Sequence, residues 1–307
     1  MLTHSRHRLT LRALIRRTCP AVLLTMLWTN HLQGHQPAGM RVTATHLDAS
    51  QLPVIDGELD DWQGVVPSLQ MSSFDDLVDD ADIDPEDLDT KVWIGWNDTQ
   101  NRLYLAVEVV DDIHQVDRPD GTADLLIFQD DDLEVFVDAD HSGGQFADFS
   151  GLAQEEQLAR NGAEANHFVL AGPHDDGDVF VNFSAAGWYA LSDGAYTQAG
   201  ITFEGIPGGA GVTRYEMSLV PFDRVNVTAD FLSVPHDLRP DEIIGFNLEL
   251  TDYDAQSRLF DAKWSLSGGF NAFRLSERFT DLWLEPPARA TVVEDLSWGR
   301  IKASLRP

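Results

Sequence analysis

Apolar and polar residues alternate with a period of two through much of the chain, the spacing that lines one face of a β-strand. The pattern predicts strands over Lys91–Trp96 (KVWIGW), Leu103–Val110 (LYLAVEVV), Leu133–Asp138 (LEVFVD) and His167–Leu170. Further strands are predicted over Val179–Phe183, Tyr215–Val220, Ile244–Leu250 and Leu282–Leu284. The polar stretch from Asn97 to Asn101 predicts a hairpin turn between the first two. Runs that are apolar on both faces, such as LYLAVEVV, predict central strands. The only helical signal is Leu152–Arg160 (LAQEEQLAR), inside a loop, and the acidic run Phe74–Asp89 reads as a surface loop. Many short strands punctuated by Gly, Pro and Asp predict an all-β fold. Its expected form is an antiparallel β-sandwich of two sheets, jelly-roll or immunoglobulin-like, over residues 42–287.

Charge narrows the function. The 307 residues carry 51 acidic against 21 basic side chains, a formal net charge of −30. Such a surface repels phosphates and anionic headgroups, which argues against nucleic acid as a partner. It suits a protein kept soluble in a saline environment, and only Lys91, Lys263 and Lys302 are lysines.

The N-terminus departs from this pattern. A basic stretch, RHRLTLRALIRR, leads into Ala21–Trp28 (AVLLTMLW), too short to span a bilayer and the length of a signal-peptide core. Residues 1–36 are therefore read as an export signal, with the mature chain secreted, periplasmic or at the cell surface and without a transmembrane helix. The single cysteine, Cys19, falls in that segment, so the mature chain needs neither disulfides nor cysteine metal sites. After Pro286-Pro287 the last residues, 288–307, form a locally basic tail.

Candidate chemistry centres on Asp130–Gly144, DDDLEVFVDADHSGG. Asp138, Asp140, Ser142 and Gly143 match the opening half of an EF-hand loop, but the twelfth position is Phe149 where a bidentate Glu is required. An irregular calcium site at Asp138 and Asp140, or at Asp111 and Asp112, is the remaining metal expectation, and calcium is the one cofactor suggested. Glu134, Asp138, Glu216 and Glu249 lie on strand candidates and could in principle pair as glycosidase carboxylates. No G-x-S-x-G, H-E-x-x-H or phosphate-binding loop accompanies them, and no enzymatic activity is expected.

Five segments in order resemble carbohydrate-binding module family 9 and its DOMON-like β-sandwich relatives. They are IDGELDDW (Ile55–Trp62), VWIGWNDTQNRLYLAVEVVDD (Val92–Asp112), DDLEVFVD, RYEMSLVPFDRV (Arg214–Val225) and IGFNLELTDYD (Ile244–Asp254). The resemblance implies a non-catalytic module that recognises an oligo- or polysaccharide. In that family two tryptophans sandwich a sugar. The alignment puts Phe128 at the first position and Phe273 at or near the second, with Glu134 at a hydroxyl-binding Glu, Glu249 at an amide position and Arg258 at a basic ligand position. Phe offers less stacking area than Trp, and Val169 stands where the family's binding members have Arg. The competing expectation is that Phe128 and Phe273 are packing residues, and Trp62 and Met217 are expected in the core.

The same relatives include haem-binding electron-transfer domains, for which Met71, Met217, His114, His167, His174 and His236 are the available axial ligands. A structural cell-surface module without a small ligand is the third reading.

Overall fold

A computed structural model describes residues 39–78, 82–122, 126–174, 179–183, 186–190, 193–254 and 261–288. The segment read as an export signal, the basic tail beyond Ala288, and Arg258 lie outside the described residues. In chain order the strands are β1 (Arg41–His46), β2 (Ser68–Gln70), β3 (Asp75–Asp76), β4 (Leu88–Asn97) and β5 (Arg102–Asp111). There follow β6 (Asp132–Asp138), β7 (Asn166–Ala171), β8 (Val179–Asn182), β9 (Thr197–Gly205) and β10 (Gly211–Leu219). The last are β11 (Phe222–Arg224), β12 (Val234–Pro235), β13 (Ile243–Asp252), β14 (Ala262–Ser265) and β15 (Thr280–Leu284). The short helix α1 (Gln154–Arg160) buries no side chain.

Every strand expected from the alternation is present, and the β4–β5 hairpin turns at Asn101, which takes a left-handed φ of 51°. Two longer strands have no such signal. β9 reads TQAGITFEG, with glycines and polar residues on both faces, and it forms one edge of the sheet. β1 offers only Val42 and Ala44 to the core.

The all-β class stands, and the strands form two halves joined in one continuous path of pairing. The main path of pairing runs β8-β7-β6-β13-β15-β1-β4-β5-β10-β9 without a break. β1 joins its halves: Arg41–Ala44 pair with β15 and Thr45–His46 with β4, both in parallel. The other strand pairings are antiparallel. The strand can serve both halves because its partner changes along its length, so neither half loses a ladder at the junction.

The apolar faces of both halves meet in one core. Val135, Val137, Leu248, Leu250 and Leu282 come from the β6–β13–β15 half, and Val92, Ile94, Val107, Tyr215 and Met217 from the β4–β5–β10 half. Met217 is therefore a core residue, as expected. Trp62 is buried too, in a second cluster with Leu47, Leu59, Val66, Tyr104 and Ala106 on the other face of β4 and β5. The turn that delivers it requires Gly57, whose φ is +85° and whose added Cβ would meet the Thr202 side chain at 2.9 Å. Glu216 closes this contact from β10. Its carboxylate accepts the Trp62 indole N–H at 2.6 Å and the N–H groups of Asp56 and Gly57 at 2.9 and 2.8 Å. The Glu216 carboxylate is thus a structural anchor.

Candidate functional site

Because side chains alternate along β6 and β13, the residues that do not enter the main core share the opposite face. Register places Glu134 beside Glu249 and Asp132 beside Thr251, with Lys263 and Ser265 on the neighbouring β14. Except for the partly exposed Lys263 these polar groups are buried, so each needs a partner. The Lys263 ammonium donates to Oε1 of Glu134 and lies 3.0 Å from Oε2 of Glu249. Nε2 of His167 lies 2.5 Å from Oε2 of Glu134, a charge contact whose alignment falls short of a hydrogen bond. Asn247 Nδ2 donates to Oε1 of Glu249 at 3.1 Å, Ser267 N donates to Asn247 Oδ1 at 2.9 Å, and Thr251 Oγ1 donates to Oδ1 of Asp132 at 2.5 Å.

One lysine thus holds together several acids. Burial works against ionisation of Glu134, but attraction to Lys263 and His167 outweighs it and brings the carboxyl down to about 2. Burial also opposes the charge on Lys263, yet Glu134, Glu249 and Asp132 together hold its pKa above the ordinary lysine range. Burial raises Glu249, and it raises Asp132 well above the usual carboxylate range, with the charge of Glu134 adding in both cases. The cluster at neutral pH is built around an ionised Glu134–Lys263 pair. A glycosidase would hold a scissile bond between its two carboxyls; here an ammonium bridges Glu134 and Glu249.

The two aromatic residues aligned with the sugar-stacking positions lie in turns. Phe128 sits in a 3₁₀ turn, Ile127–Gln129, and Phe273 in the turn that precedes another, Ser276–Arg278. Ile127 packs with Val169 and Ala171, and Val169 lies directly beside Glu134 on β7. Ala272 belongs to the cluster of Phe136, Phe146 and Phe279, and Phe136 follows Glu134 by two residues on the same face. The rings themselves are open to solvent, Phe128 by 43% and Phe273 by 44%, and neither is a core residue. Register thus brings Glu134 and Glu249 to one face of the β6–β13 half, and the residues next to Phe128 and Phe273 pack against strands of the same half. The structure also adds Lys263, His167 and Asn247, which sequence reasoning missed. Two signals pointed toward them: Lys263 is one of three lysines, and Asn247 stands in period two with Glu249. Glu134 and Glu249 are each only 2% exposed, so they lie beneath the surface, and Lys263 is the more exposed member at 16% of its side chain.

The aspartates expected to hold calcium divide into two cases. Asp138 and Asp140 are engaged in their own turn: Asp138 accepts the N–H of Gly143 at 2.8 Å and of Ser142 at 3.3 Å, and Asp140 that of Ser142 at 3.1 Å. Asp111, at the end of β5, instead enters a larger cage. Single side-chain atoms of Asp111, His114 and Asp131 lie within 4.8 Å of one another, as do those of Asp111, Asp252 and Asp254, and those of Asp87, Asp112 and Asp254. Oδ2 of Asp111 and Oδ1 of Asp252 and Asp254 are buried and accept no hydrogen bond from a described residue. Burial, with Asp111 and Asp254 adding repulsion, pushes Asp252 up to about 8; burial and Asp87 push Asp254 up to about 6. Three donor-free carboxylate oxygens, from the end of β5 and from the Asp252–Asp254 segment, are of the type that hard cations take as ligands.

The histidines and methionines weighed for haem have other contacts. The Nε2–H groups of His114 and His174 donate to the carbonyls of Gly172 and Arg118, each at 2.7 Å, and Nδ1 of His236 lies 2.5 Å from Asp223. Met71 and Met217 are buried in the main core. An open cleft of about 250 Å³ beside α1, lined by Phe149, Arg160, Glu164 and Arg224 among others, lies among surface ion pairs and includes no residue of either cluster.

Residues 55–163, about a third of the chain, match the family model described as carbohydrate family 9 binding domain-like. No curated protein matches the chain. Among solved structures, it is similar to a carbohydrate binding module family 9 from Caldicellulosiruptor kristjanssonii in complex with cellotriose. The identity is 16% and the TM-score 0.53, over 83% of this chain and 98% of the other. The glucose complex of a family 9 module from the same organism gives 16% identity and a TM-score of 0.52, over 81% and 98%. At this identity the likeness establishes the shared fold. No helix among the described residues is long and apolar enough to cross a membrane.

Proposed function

We propose that this chain is an exported, non-catalytic carbohydrate-binding protein whose stacking surfaces are Phe128 and Phe273. The observation that carries this reading is the solvent exposure of two aromatic rings on turns whose neighbouring residues pack on the strands that carry a buried polar network built on the Glu134–Lys263 ion pair. A sugar presents an apolar C–H face to an aromatic ring and hydroxyls to polar groups, so it needs both features together. Glu134 and Glu249 act from beneath by fixing Lys263, whose ammonium has three N–H groups and uses two on them. The third is directed to a hydroxyl oxygen. Export rests on the basic-then-apolar N-terminus.

Glucose and cellotriose, held by the two similar structures, are the ligands to titrate first. Calorimetry on wild type and a Phe128→Ala/Phe273→Ala double variant tests the site. Loss of binding at an unchanged melting temperature supports it, unchanged binding rejects it, and loss of folding supports a packing role for the two rings.

A cation belongs to the same proposal. The donor-free oxygens of Asp111, Asp252 and Asp254 suit calcium, with Asp112 and Asp87 at the outer edge; Asp138 and Asp140 do not take part. Added calcium should raise the melting temperature and chelation lower it.

A further inference from the structure

The acid cage and the Phe128 turn share one residue, Tyr253. It lies in the chain between Asp252 and Asp254 and is buried. Its backbone N–H donates to Oδ1 of Asp131 at 2.7 Å, and its phenol O–H donates to the carbonyl oxygen of Phe128 at 2.8 Å. Asp131 is itself a cage member, and its backbone N–H donates to the Gln115 carbonyl at 2.8 Å. The same few residues thus hold both the cage and the backbone beneath the exposed ring.

We propose that a divalent cation in the cage sets the position of Phe128 through Tyr253, so that carbohydrate binding is cation-dependent. This rests on the carbohydrate reading and on the cation assigned above. Without a cation, nothing draws the donor-free oxygens of Asp111, Asp252 and Asp254 onto a common centre, and the ends of β5 and β13 are held less firmly to each other. A cation draws those carboxylates onto one centre. Asp131 then holds the Tyr253 backbone from one side, Asp252 and Asp254 hold it from its chain neighbours, and the phenol is fixed against Phe128. The ring of Phe128 is 43% exposed and depends on such backbone anchors for its placement. A second anchor, the buried Arg118–Asp130 pair, holds residue 130 with or without a cation, so Tyr253 is the contact that responds. Phe273 stands apart from this path: its turn is tied to the loop after β6 by the Phe146 N–H, which donates to the Arg274 carbonyl at 3.0 Å.

The test is calorimetric titration of cellotriose into the full chain, in saturating calcium and after chelation, for wild type and Tyr253→Phe. Calcium binding is titrated separately without sugar. Wild type is expected to lose about tenfold in cellotriose affinity on chelation, the scale of coupling between linked sites. Tyr253→Phe is expected to bind calcium still, yet to bind cellotriose equally well with and without it. Equal wild-type affinity in both conditions, or full calcium dependence in Tyr253→Phe, overturns the proposal. If wild type binds cellotriose but not calcium, the coupling falls and the carbohydrate reading stands. If cellotriose binds under neither condition, the carbohydrate reading falls and takes the coupling with it.

Discussion

The ammonium of Lys263 lies 3.0 Å from Glu249 and bonds Glu134 at the same time, so one cation stands between two buried carboxylates on neighbouring strands. Removing it leaves those buried carboxylates with His167, Asn247 and Ser265 as their partners among the described residues. Breaking a buried charge pair from one side costs about 3–5 kcal/mol. Lys263→Met is expected to be destabilised on that scale in urea titration. Lys263→Arg, which keeps the charge, should lose less.

The same pair predicts a pH dependence. Glu134 has a folded-state pKa near 2 against an ordinary 4.5, so the unfolded chain binds its proton first as pH falls. The stability contributed by this carboxylate is complete above 4.5 and is lost as pH falls toward about 2. Chemical denaturation of wild type and Glu134→Gln across that range should show a stability gap that narrows as the pH drops. A gap of constant size between pH 5 and 2 would contradict the assignment.

On the other half of the sheet, Trp62 and Glu216 form a pair that depends on one indole hydrogen. Trp62→Phe fills most of the same volume but leaves Oε1 of Glu216, buried, without the donor it has at 2.6 Å. An unsatisfied buried acceptor costs about 1–3 kcal/mol. The variant should lose that much stability while its sugar binding, at the opposite half, stays unchanged in calorimetry.

Gly57→Ala tests the turn that seats Trp62. Its φ of +85° is unfavourable for any side chain, and the new Cβ would lie 3.0 Å from the Ile201 carbonyl carbon and the Thr202 nitrogen, which are backbone. Neither atom can yield as a flexible side chain would. A loss of more than about 1 kcal/mol is expected by thermal or chemical denaturation.

How much of this was legible in the chain follows from the range of each interaction. Period-two alternation is local, since a strand's two faces are fixed by neighbours two residues apart, and it marked every long central strand from LYLAVEVV to IGFNLEL. It also placed Met217 in the core, and bulk alone placed Trp62 there, because large apolar groups leave water wherever the fold allows. β9 escaped because an edge strand rich in Gly and Thr need not alternate, and the single continuous sheet escaped because one short strand, β1, changes partners midway. Composition alone set the acidic surface.

The tertiary structure decided what the carboxylates do. Lys263 meets Glu134 across 129 residues of chain, and Asp131 meets Tyr253 across 122. No local pattern distinguishes Asp138, whose oxygens close their own turn, from Asp111, whose oxygen faces other acids. A carboxylate's role depends on the dielectric and the charges around it, and strand register brings those together from distant parts of the chain.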